Sequence, residues 1–300
     1  YETVAAADSF ARFTYVSPIS VKSMSPKSGP VEGGTGIIVR GSNFVSSDVL
    51  RCRFGSPHLG GRGAVVPGIF LSETRVRCVS PALPAGRVSV ELTTNNVDYT
   101  SNFVQFEYKV QSEVHSISPH FGSLSGGTRV MVTGRYFQET QTLHCRFGSA
   151  GEVVRATWVA STLIECVSPL TVTAGQTLVQ ITSNMVDFTE VNPNAAIFTY
   201  TPNIVVAEVV PPRGPDLGGT LLTIIGDGFI SPNDNSAVSE ETFKCRFAGF
   251  VIVSAQVVNA THMKCVAPAI DEMSVHDSGA QAVVSVEVSC NGVQFEGLDA

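Results

Sequence analysis

The 300-residue sequence predicts an all-β protein made of tandem antiparallel β-sandwich domains in an elongated array. Three observations support this prediction. The motif P-x-x-G-x-x-x-G-G-T occurs three times, at residues 26–35, 119–128 and 211–220. Its copies begin 93 and 92 residues apart, a period that corresponds to a whole small domain rather than to a solenoid unit. Each copy is followed by short segments of alternating apolar and polar residues, and by a matching pair of cysteines.

The repeat spacing predicts the domain boundaries. We expect residues 16–109, 110–201 and 202–300 to form three domains of one type, named repeats 1, 2 and 3 below. Residues 1–15 end in Phe-Thr-Tyr, as repeat 2 does, and are expected to be the last strand of a preceding domain. Repeat 3 lacks the closing Phe-x-Tyr, so its final strand is expected to be missing. The sequence is therefore interpreted as a segment of a longer array.

The motif itself predicts a strand, a reversal and a second strand. Proline cannot donate a backbone hydrogen bond, so it interrupts the first strand. The glycine three residues later is expected to adopt a positive φ in a turn, and Gly-Gly-Thr reverses the chain. The β-branched segments that follow, at residues 37–40, 130–133 and 221–225, predict the next strand.

Further strands are predicted by alternation. Residues 50–54, 143–147 and 243–247, and then 74–78, 162–166 and 261–265, place apolar residues and a cysteine on one face. A later strand runs into an Asn-containing turn, giving six or seven strands per repeat. Two segments that vary between repeats, residues 55–68 and 230–242, are expected to be surface loops, where binding residues tend to lie.

Composition narrows the partners. With 43% apolar and 15% charged residues, each repeat can form a sandwich core. The formal net charge of −7, without a run of Lys and Arg, disfavours nucleic acid as a partner. No apolar stretch approaches the length of a membrane span, so direct membrane insertion within this segment is not expected. The expected partners are proteins, either neighbouring chains of the same assembly or other surface proteins.

The repeated cysteines predict three disulfides. Each repeat carries two cysteines that face the core, which predicts Cys52–Cys78, Cys145–Cys166 and Cys245–Cys265. Buried free thiols in an intracellular protein are the alternative, whereas a zinc site would need clustered C-x₂-C ligands that the sequence lacks. Disulfides imply an extracellular or cell-surface protein of the secretory pathway.

Two residues stand apart from this pattern. Cys290 occupies the place of Thr94 and Ser183, so the core does not require it. It is either bonded to another chain, bonded to a residue outside this segment, or a buried free thiol. Asn259 begins the only N-x-S/T sequon and can carry a glycan, although the repeat pattern also accounts for Thr261.

No arrangement of residues points to catalysis. The common catalytic motifs are missing and the six histidines do not recur, so we expect no enzyme, no cofactor and no metal site. Asp98 and Asp187 recur near the repeat ends, but repeat 3 has Gln294 there, and a turn-capping role is expected rather than Ca²⁺ binding. Three recurring arginines are expected to be ordinary sheet-surface residues: Arg53, Arg146 and Arg246.

Together these residues resemble the IPT/TIG family, the immunoglobulin-like domains shared by plexins and some transcription factors. The family pattern S-P-x-x-G…G-G-T-x-V-x-V-x-G-x-x-F, C-R-F-G and V-x-C-V-S-P is matched at residues 25–44, 52–55 and 76–81. Repeat 3 departs from it with Ala248 and Ala267. The resemblance implies an immunoglobulin-like sandwich, cysteines that are bonded in extracellular members, and no catalytic residues.

The expected function is that of a non-catalytic structural or adhesive segment of a large extracellular or cell-surface protein. It would act as a rigid spacer and as a lateral contact surface in a fibre, coat or adhesion layer. One alternative is the stalk of a plexin-like receptor ectodomain that binds a protein ligand. Another is an accessory module of a carbohydrate-active enzyme.

Overall fold

The structure is a computed structural model in which residues 15–55, 63–149, 151–190, 196–229, 243–273 and 282–297 are described. These residues form an all-β chain, as predicted, with one 3₁₀ turn at Ile270–Met273. Two compact units are present, Tyr1–Val110 and Gln111–Ala300, so the first contains repeat 1 and the second contains repeats 2 and 3. The strand expected in residues 1–15 lies outside the described residues, apart from Tyr15.

Repeat 1 contains nine strands among its described residues. They are β1 Ser20–Ser25, β2 Ser28–Pro30, β3 Gly36–Ser42, β4 Arg51–Phe54, β5 Ala64–Pro67, β6 Ile69–Ser72, β7 Arg75–Val79, β8 Gly86–Thr93 and β9 Gln105–Lys109. One sheet has the order β1-β3-β7-β6 and the other the order β2-β9-β8-β4-β5. Buried side chains of both sheets form one core, as expected for a sandwich.

Repeat 2 has the same architecture. Its strands are β10 Glu113–Ser118, β11 Phe121–Ser123, β12 Arg129–Arg135, β13 His144–Phe147, β14 Val153–Arg155, β15 Thr157–Ala160, β16 Leu163–Val167, β17 Gly175–Thr182 and β18 Ile197–Thr201. The sheet orders β10-β12-β16-β15 and β11-β18-β17-β13-β14 are those of repeat 1. Repeats 1 and 2 thus have nine described strands each rather than the six or seven predicted. The sequence missed β2 and β11, which are only three residues long and lie within the repeated motif, and it missed the short strands between the two cysteines, β5, β6, β14 and β15.

Repeat 3 joins its two sheets into one. Its described strands are β19 Val205–Val210, β20 Leu221–Asp227, β21 Lys244–Phe247, β22 Val251–Asn259, β23 His262–Val266, β24 Val286–Ser289 and β25 Glu296–Gly297. The nine-residue β22 pairs with β21 through its first half and with β23 through its second half. One continuous strand therefore replaces the two short strands found at this place in the other repeats.

Each repeat contains a disulfide, which connects the two sheets in repeats 1 and 2 and connects β21 to β23 within the joined sheet of repeat 3. The bonded pairs are Cys52–Cys78, Cys145–Cys166 and Cys245–Cys265, with Cα–Cα distances of 6.2, 6.2 and 6.6 Å. All six cysteines are buried, because the alternating pattern turns each towards the core. On the chain-entropy model, each bond stabilises its repeat by roughly 3 kcal/mol. The bonds indicate an extracellular or cell-surface location, since cytosolic reductants keep thiols reduced.

The glycines of the motif have two different structural reasons. The Gly-Gly pair has positive φ angles, +73° and +78° at Gly126 and Gly127. The preceding Gly122 has no such angle, so the positive φ expected there is wrong. A Cβ on Gly122 would instead lie 2.1 Å from Oγ1 of Thr128, and the equivalent glycines of the other repeats meet their threonines in the same way. The first glycine is required by close packing.

Both edges of the first sheet carry a β-bulge in repeats 1 and 2. In repeat 1 the register shifts between Val21 and Ser23 on β1, and between Phe70 and Ser72 on β6. The equivalent edge strands of repeat 2 are bulged at matching positions. In repeat 3 the edge strand β19 is bulged, and the bulged β22 lies inside the joined sheet. A bulge twists an edge and interrupts its row of free backbone groups, which disfavours pairing with another sheet.

One of the two variable segments differs in part from the expected loop. Within residues 55–68, Ala64–Pro67 forms β5 and pairs with β4. Residues 56–62 of that segment, and the whole segment 230–242, lie outside the described residues.

We predict that Gly122→Ala destabilises repeat 2 by about 3 kcal/mol, because the new methyl group overlaps Thr128. Gly127→Ala is the matched control: its Cβ would meet nothing within 4 Å, so only the strain of a positive φ remains, about 1 kcal/mol. Trp158, the single tryptophan of the chain, lies in repeat 2 and reports its unfolding in urea by fluorescence. Equal losses for the two variants would contradict the packing explanation.

Candidate functional site

Repeats 2 and 3 meet at a junction within the second unit. Only residues 202–204 separate β18 from β19, and Ile204 is buried. Asn203 accepts hydrogen bonds through Oδ1 from Ser123 Oγ, at 2.6 Å, and from the Ser125 backbone, at 3.2 Å. The connection is therefore held against the motif loop of repeat 2, which limits its freedom.

An aromatic side chain crosses this junction. Phe121 belongs to the motif of repeat 2, but its ring packs in the hydrophobic cluster of repeat 3 and is 6% exposed. The equivalent residues are Ser28 in repeat 1 and Arg213 in repeat 3. Burying a phenylalanine side chain contributes about 2 kcal/mol, so this ring is a substantial part of the junction.

A turn of repeat 3, residues 291–294, binds the motif loop of repeat 2. Asn291 Nδ2 donates to the carbonyl of Phe121 at 3.1 Å. Gln294 makes two bonds: its Oε1 accepts from Thr128 Oγ1 at 2.7 Å, and its Nε2 donates to the carbonyl of Gly126 at 3.2 Å. A carboxylate in place of Gln294 could accept from Thr128 but could not donate to Gly126, so the amide matches this site.

The same turn is built by its asparagine in every repeat. Oδ1 of Asn291 accepts from the backbone of residues 293 and 294 at 3.0 and 2.9 Å. Asn95 caps the turn of repeat 1 alike, and its Nδ2 donates to Asp98 at 2.8 Å. In repeat 2, the amide of Asn184 donates to Asp187 at 2.7 Å. Asp98 and Asp187 thus close their turns within the repeat, which fits the capping role expected for them.

The three recurring arginines are more than ordinary surface residues. Each guanidinium lies over the aromatic ring that follows the Asn turn, within the distance of a cation–π contact. The pairs are Arg53 with Tyr99 at 3.6 Å, Arg146 with Phe188 at 3.6 Å, and Arg246 with Phe295 at 4.2 Å. The arginine therefore clamps the end of the turn onto the outer face of the second sheet.

A polar partner on the neighbouring strand completes each clamp. Arg53 Nε donates to Glu91 at 2.8 Å, Arg146 to Gln180 at 2.7 Å, and Arg246 Nε to Glu287 at 2.5 Å. The hydrogen bond from Arg246 to Glu287 raises the pKa of the arginine. The Glu91 side chain is only 3% exposed, so loss of Arg53 would leave a buried charge unpaired.

Sequence reasoning missed the clamps and the crossing phenylalanine. A signal for the clamps was present, since an aromatic residue follows each Asn turn: Tyr99, Phe188 and Phe295. Its meaning depends on the strand register, which places each arginine directly opposite residue 91, 180 or 287. Phe121 could be recognised only as an apolar residue at a position that is polar in the other two repeats.

Cys290 is a buried free thiol in the hydrophobic cluster of repeat 3. It lies against Thr201, the last residue of β18. Burial raises the pKa of the thiol from 9.0 to about 11, because the charged thiolate loses its hydration. Bonding to another chain would require the junction to open, so the free-thiol alternative fits this position best.

Asn259 lies at the exposed end of β22. Its Oδ1 accepts from the backbone and from the hydroxyl of Thr261, at 2.9 and 3.0 Å. The side chain is accessible to solvent, so glycan attachment at this sequon stays a prediction.

Among the residues that the structure describes, no group of three or more His, Cys, Asp and Glu side chains is placed to hold a metal ion. In that same part of the chain, no helix has the length and hydropathy to cross a membrane.

Comparison with known proteins matches the sequence to one domain type. The family model of the IPT/TIG domain covers residues 18–108, 112–200 and 205–299. Human Plexin-A3 is 27% identical over 263 residues, which is 83% of this chain and 13% of Plexin-A3. The chain thus spans a small part of that relative's length.

Solved structures give lower similarity. The Plexin A4 full extracellular region matches with a TM-score of 0.41 and 18% identity, over 89% of this chain and 23% of that one. The Bacteroides ovatus protein SGBP-B, solved with a mixed-linkage heptasaccharide, matches with a TM-score of 0.26 and 12% identity, over 92% and 62% of the two chains.

We predict that iodoacetamide labels one cysteine, Cys290, when the protein is unfolded in guanidinium chloride without reductant. In the native protein at pH 9 the label is added far more slowly, because a pKa of about 11 leaves about fiftyfold less thiolate than a pKa of 9.0. The stability that the neutral thiol contributes is present below pH 9 and is lost as pH rises towards 11.

Mass spectrometry of the labelled peptides measures the result, with Cys290→Ser as the unlabelled control. Labelling at any of the other six cysteines would contradict the disulfides. A dimer that dissociates on reduction would contradict the buried free thiol.

Proposed function

Because the chain belongs to the IPT/TIG domain family, we propose that it is a non-catalytic stalk segment of a large cell-surface protein. Its work is mechanical: it spaces other modules and fixes the orientation of neighbouring domains. IPT/TIG domains of this kind are non-catalytic modules, and the similarity to Plexin-A3 supports a place in a receptor ectodomain. The partners proposed for it are proteins.

The junction between repeats 2 and 3 is the observation on which this proposal rests. A flexible tether would be a longer polar linker without contacts to its neighbours. This connection has three residues, of which Asn203 and Ile204 are held by hydrogen bonds and by burial. The Phe121 ring and the turn at residues 291–294 add contacts on a second side. Contacts on two sides resist both bending and twisting.

The clamp of repeat 3 supports the same proposal because it holds the turn at residues 291–294, called the docking turn below. Arg246 holds Phe295, which directly follows the docked Gln294. The clamp thereby restrains the orientation of the turn relative to its own sheet, independently of the contact with repeat 2. A spacer needs this property, since an error at one junction displaces everything beyond it.

A lateral contact surface in a fibre, coat or adhesion layer has less support. It would use the free edges of the sheets, but both edges of the first sheet are bulged in repeats 1 and 2, and so is the edge strand β19 of repeat 3. The variable segments that would provide contacts lie partly or wholly outside the described residues. No described feature favours the accessory-module alternative.

We predict a single narrow distance distribution between spin labels at Thr173→Cys and Val258→Cys, measured by pulsed electron paramagnetic resonance on the full chain with Cys290→Ser. Phe121→Ser combined with Gln294→Ala should broaden it. That pair of changes removes about 2 kcal/mol of burial and about 1 kcal/mol for each of two hydrogen bonds.

The matched control is Val159→Ser with Gln141→Ala, which removes an exposed valine and an exposed glutamine of repeat 2 that belong neither to the motif loop at residues 119–128 nor to the connection at residues 202–204. The control should keep the narrow distribution. A broad distribution in the parent protein would refute a fixed spacer, whatever the variants do.

A further inference from the structure

One row of polar side chains crosses the outer face of the first sheet of repeat 1. The strand register aligns Ser23 on β1 with Arg40 on β3, Arg40 with Arg75 on β7, and Arg75 with Ser72 on β6. Adjacent strands are about 4.8 Å apart, so the two arginines are close neighbours. The row therefore places two guanidinium groups side by side between hydroxyl groups.

The positive charges of this face have no counter-charge. Lys22 lies beside the row, and Arg77 lies two residues beyond Arg75 on the same face. None of Lys22, Arg40, Arg75 and Arg77 takes part in a salt bridge with another described residue. Like charges directly opposite each other on paired strands are destabilising. The fold gains nothing from this arrangement, which points to a use outside the fold.

The row forms the floor of an open cleft. Its volume is about 540 Å³. The side chains that line it are Lys22, Ser23, Arg40, Ser72, Thr74 and Arg75. The one acid nearby in sequence, Glu73, lies in the turn between β6 and β7 and is not part of the lining. Guanidinium groups with hydroxyl groups beside them are suited to bind oxyanions.

The charge of the chain is distributed unevenly among the repeats. Repeat 1 has ten Lys and Arg against six Asp and Glu, a formal charge of +4. Repeat 3 has four against twelve, a formal charge of −8, and the whole chain has −7. Such asymmetry within one chain indicates a polyanionic partner for the basic part. The net charge of the whole chain does not reveal the positive charge of repeat 1.

The cleft is particular to repeat 1. The residues aligned with Arg40 are Thr133 and Ile225, and those aligned with Arg75 are Leu163 and His262. In repeat 2, both arginines on this sheet are paired with acids: Arg129 with Glu165 at 3.0 Å and Arg135 with Glu113 at 3.2 Å. A feature needed by the fold would recur in all three repeats, and this one does not.

We propose that this cleft binds a sulfated polysaccharide. Sulfate groups stay ionised at all physiological pH values and present three oxygens that match the fork of an arginine. The backbone positions that carry the cations are about 5 Å apart across the strands and about 7 Å apart along them, which suits a chain carrying several sulfates better than one small anion. Cationic and hydroxyl side chains line the cleft and no aromatic residue is among them, which disfavours a protein partner because the centre of a protein interface is usually rich in aromatic residues.

The test measures binding of a heparin-derived octasaccharide to the full chain by calorimetry, beside the same saccharide after chemical desulfation. Arg40→Gln with Arg75→Gln should weaken binding of the sulfated form about tenfold, the effect of losing two charged contacts. Lys27→Gln with Arg87→Gln is the matched control. It also changes the formal charge from −7 to −9, but at exposed residues that do not line the cleft.

The control variant should bind within about twofold of the parent, and raising the salt concentration should weaken all binding. Thermal unfolding of both variants verifies that each is folded. The proposal is overturned by absence of binding, by equal binding of the desulfated saccharide, or by equal losses in the two variants. Binding to anionic phospholipid vesicles without binding to the saccharide would overturn the proposal in favour of a membrane surface. If the Arg40→Gln, Arg75→Gln variant lost only self-association, the partner would be a second copy of this chain.

Discussion

The close contact between Gly122 and Thr128 in the motif of repeat 2 is the constraint on which the rest of the second unit depends. Gly122 leaves no room for a Cβ because Thr128 Oγ1 occupies that space. The loop between them is thereby held tightly, with its Gly-Gly pair at positive φ. The same Thr128 hydroxyl donates to Gln294 of repeat 3, and the same loop offers the carbonyl of Gly126. A motif that closes one domain thus also receives the next.

The other half of this junction is prepared by the clamp of repeat 3. Arg246, Phe295 and Glu287 join the turn to the outer face of the second sheet through a cation–π contact and a charged hydrogen bond. Outer sheet faces are usually solvated and contribute little to domain order. Here the outer face positions the docking turn. Bonded contacts therefore run without interruption from the second sheet of repeat 3, through the clamp, to repeat 2. That continuity is what a spacer requires.

The three repeats share this framework and differ in the charges placed on it. Repeat 1 carries a cluster of unpaired cations on its first sheet, while repeat 2 pairs its charges there and repeat 3 is strongly acidic. The sheet supplies the fixed spacing, and the side chains on its outer face are free to vary without disturbing the core. The ligand that the outer face can bind can therefore differ from repeat to repeat, while the framework of the repeat stays the same.

The sequence by itself determined the fold class, the family and the pairing of the cysteines, because these follow from local alternation and from a motif repeated at constant spacing. Only the tertiary structure decided which residues meet across strands and across repeats. Arg40 beside Arg75, Arg53 against Glu91 and Phe121 inside repeat 3 are pairs set by strand register and domain docking. Residues distant in the chain come together there, and no local pattern encodes a register. The reason for Gly122 likewise became visible only when its neighbour Thr128 was in place.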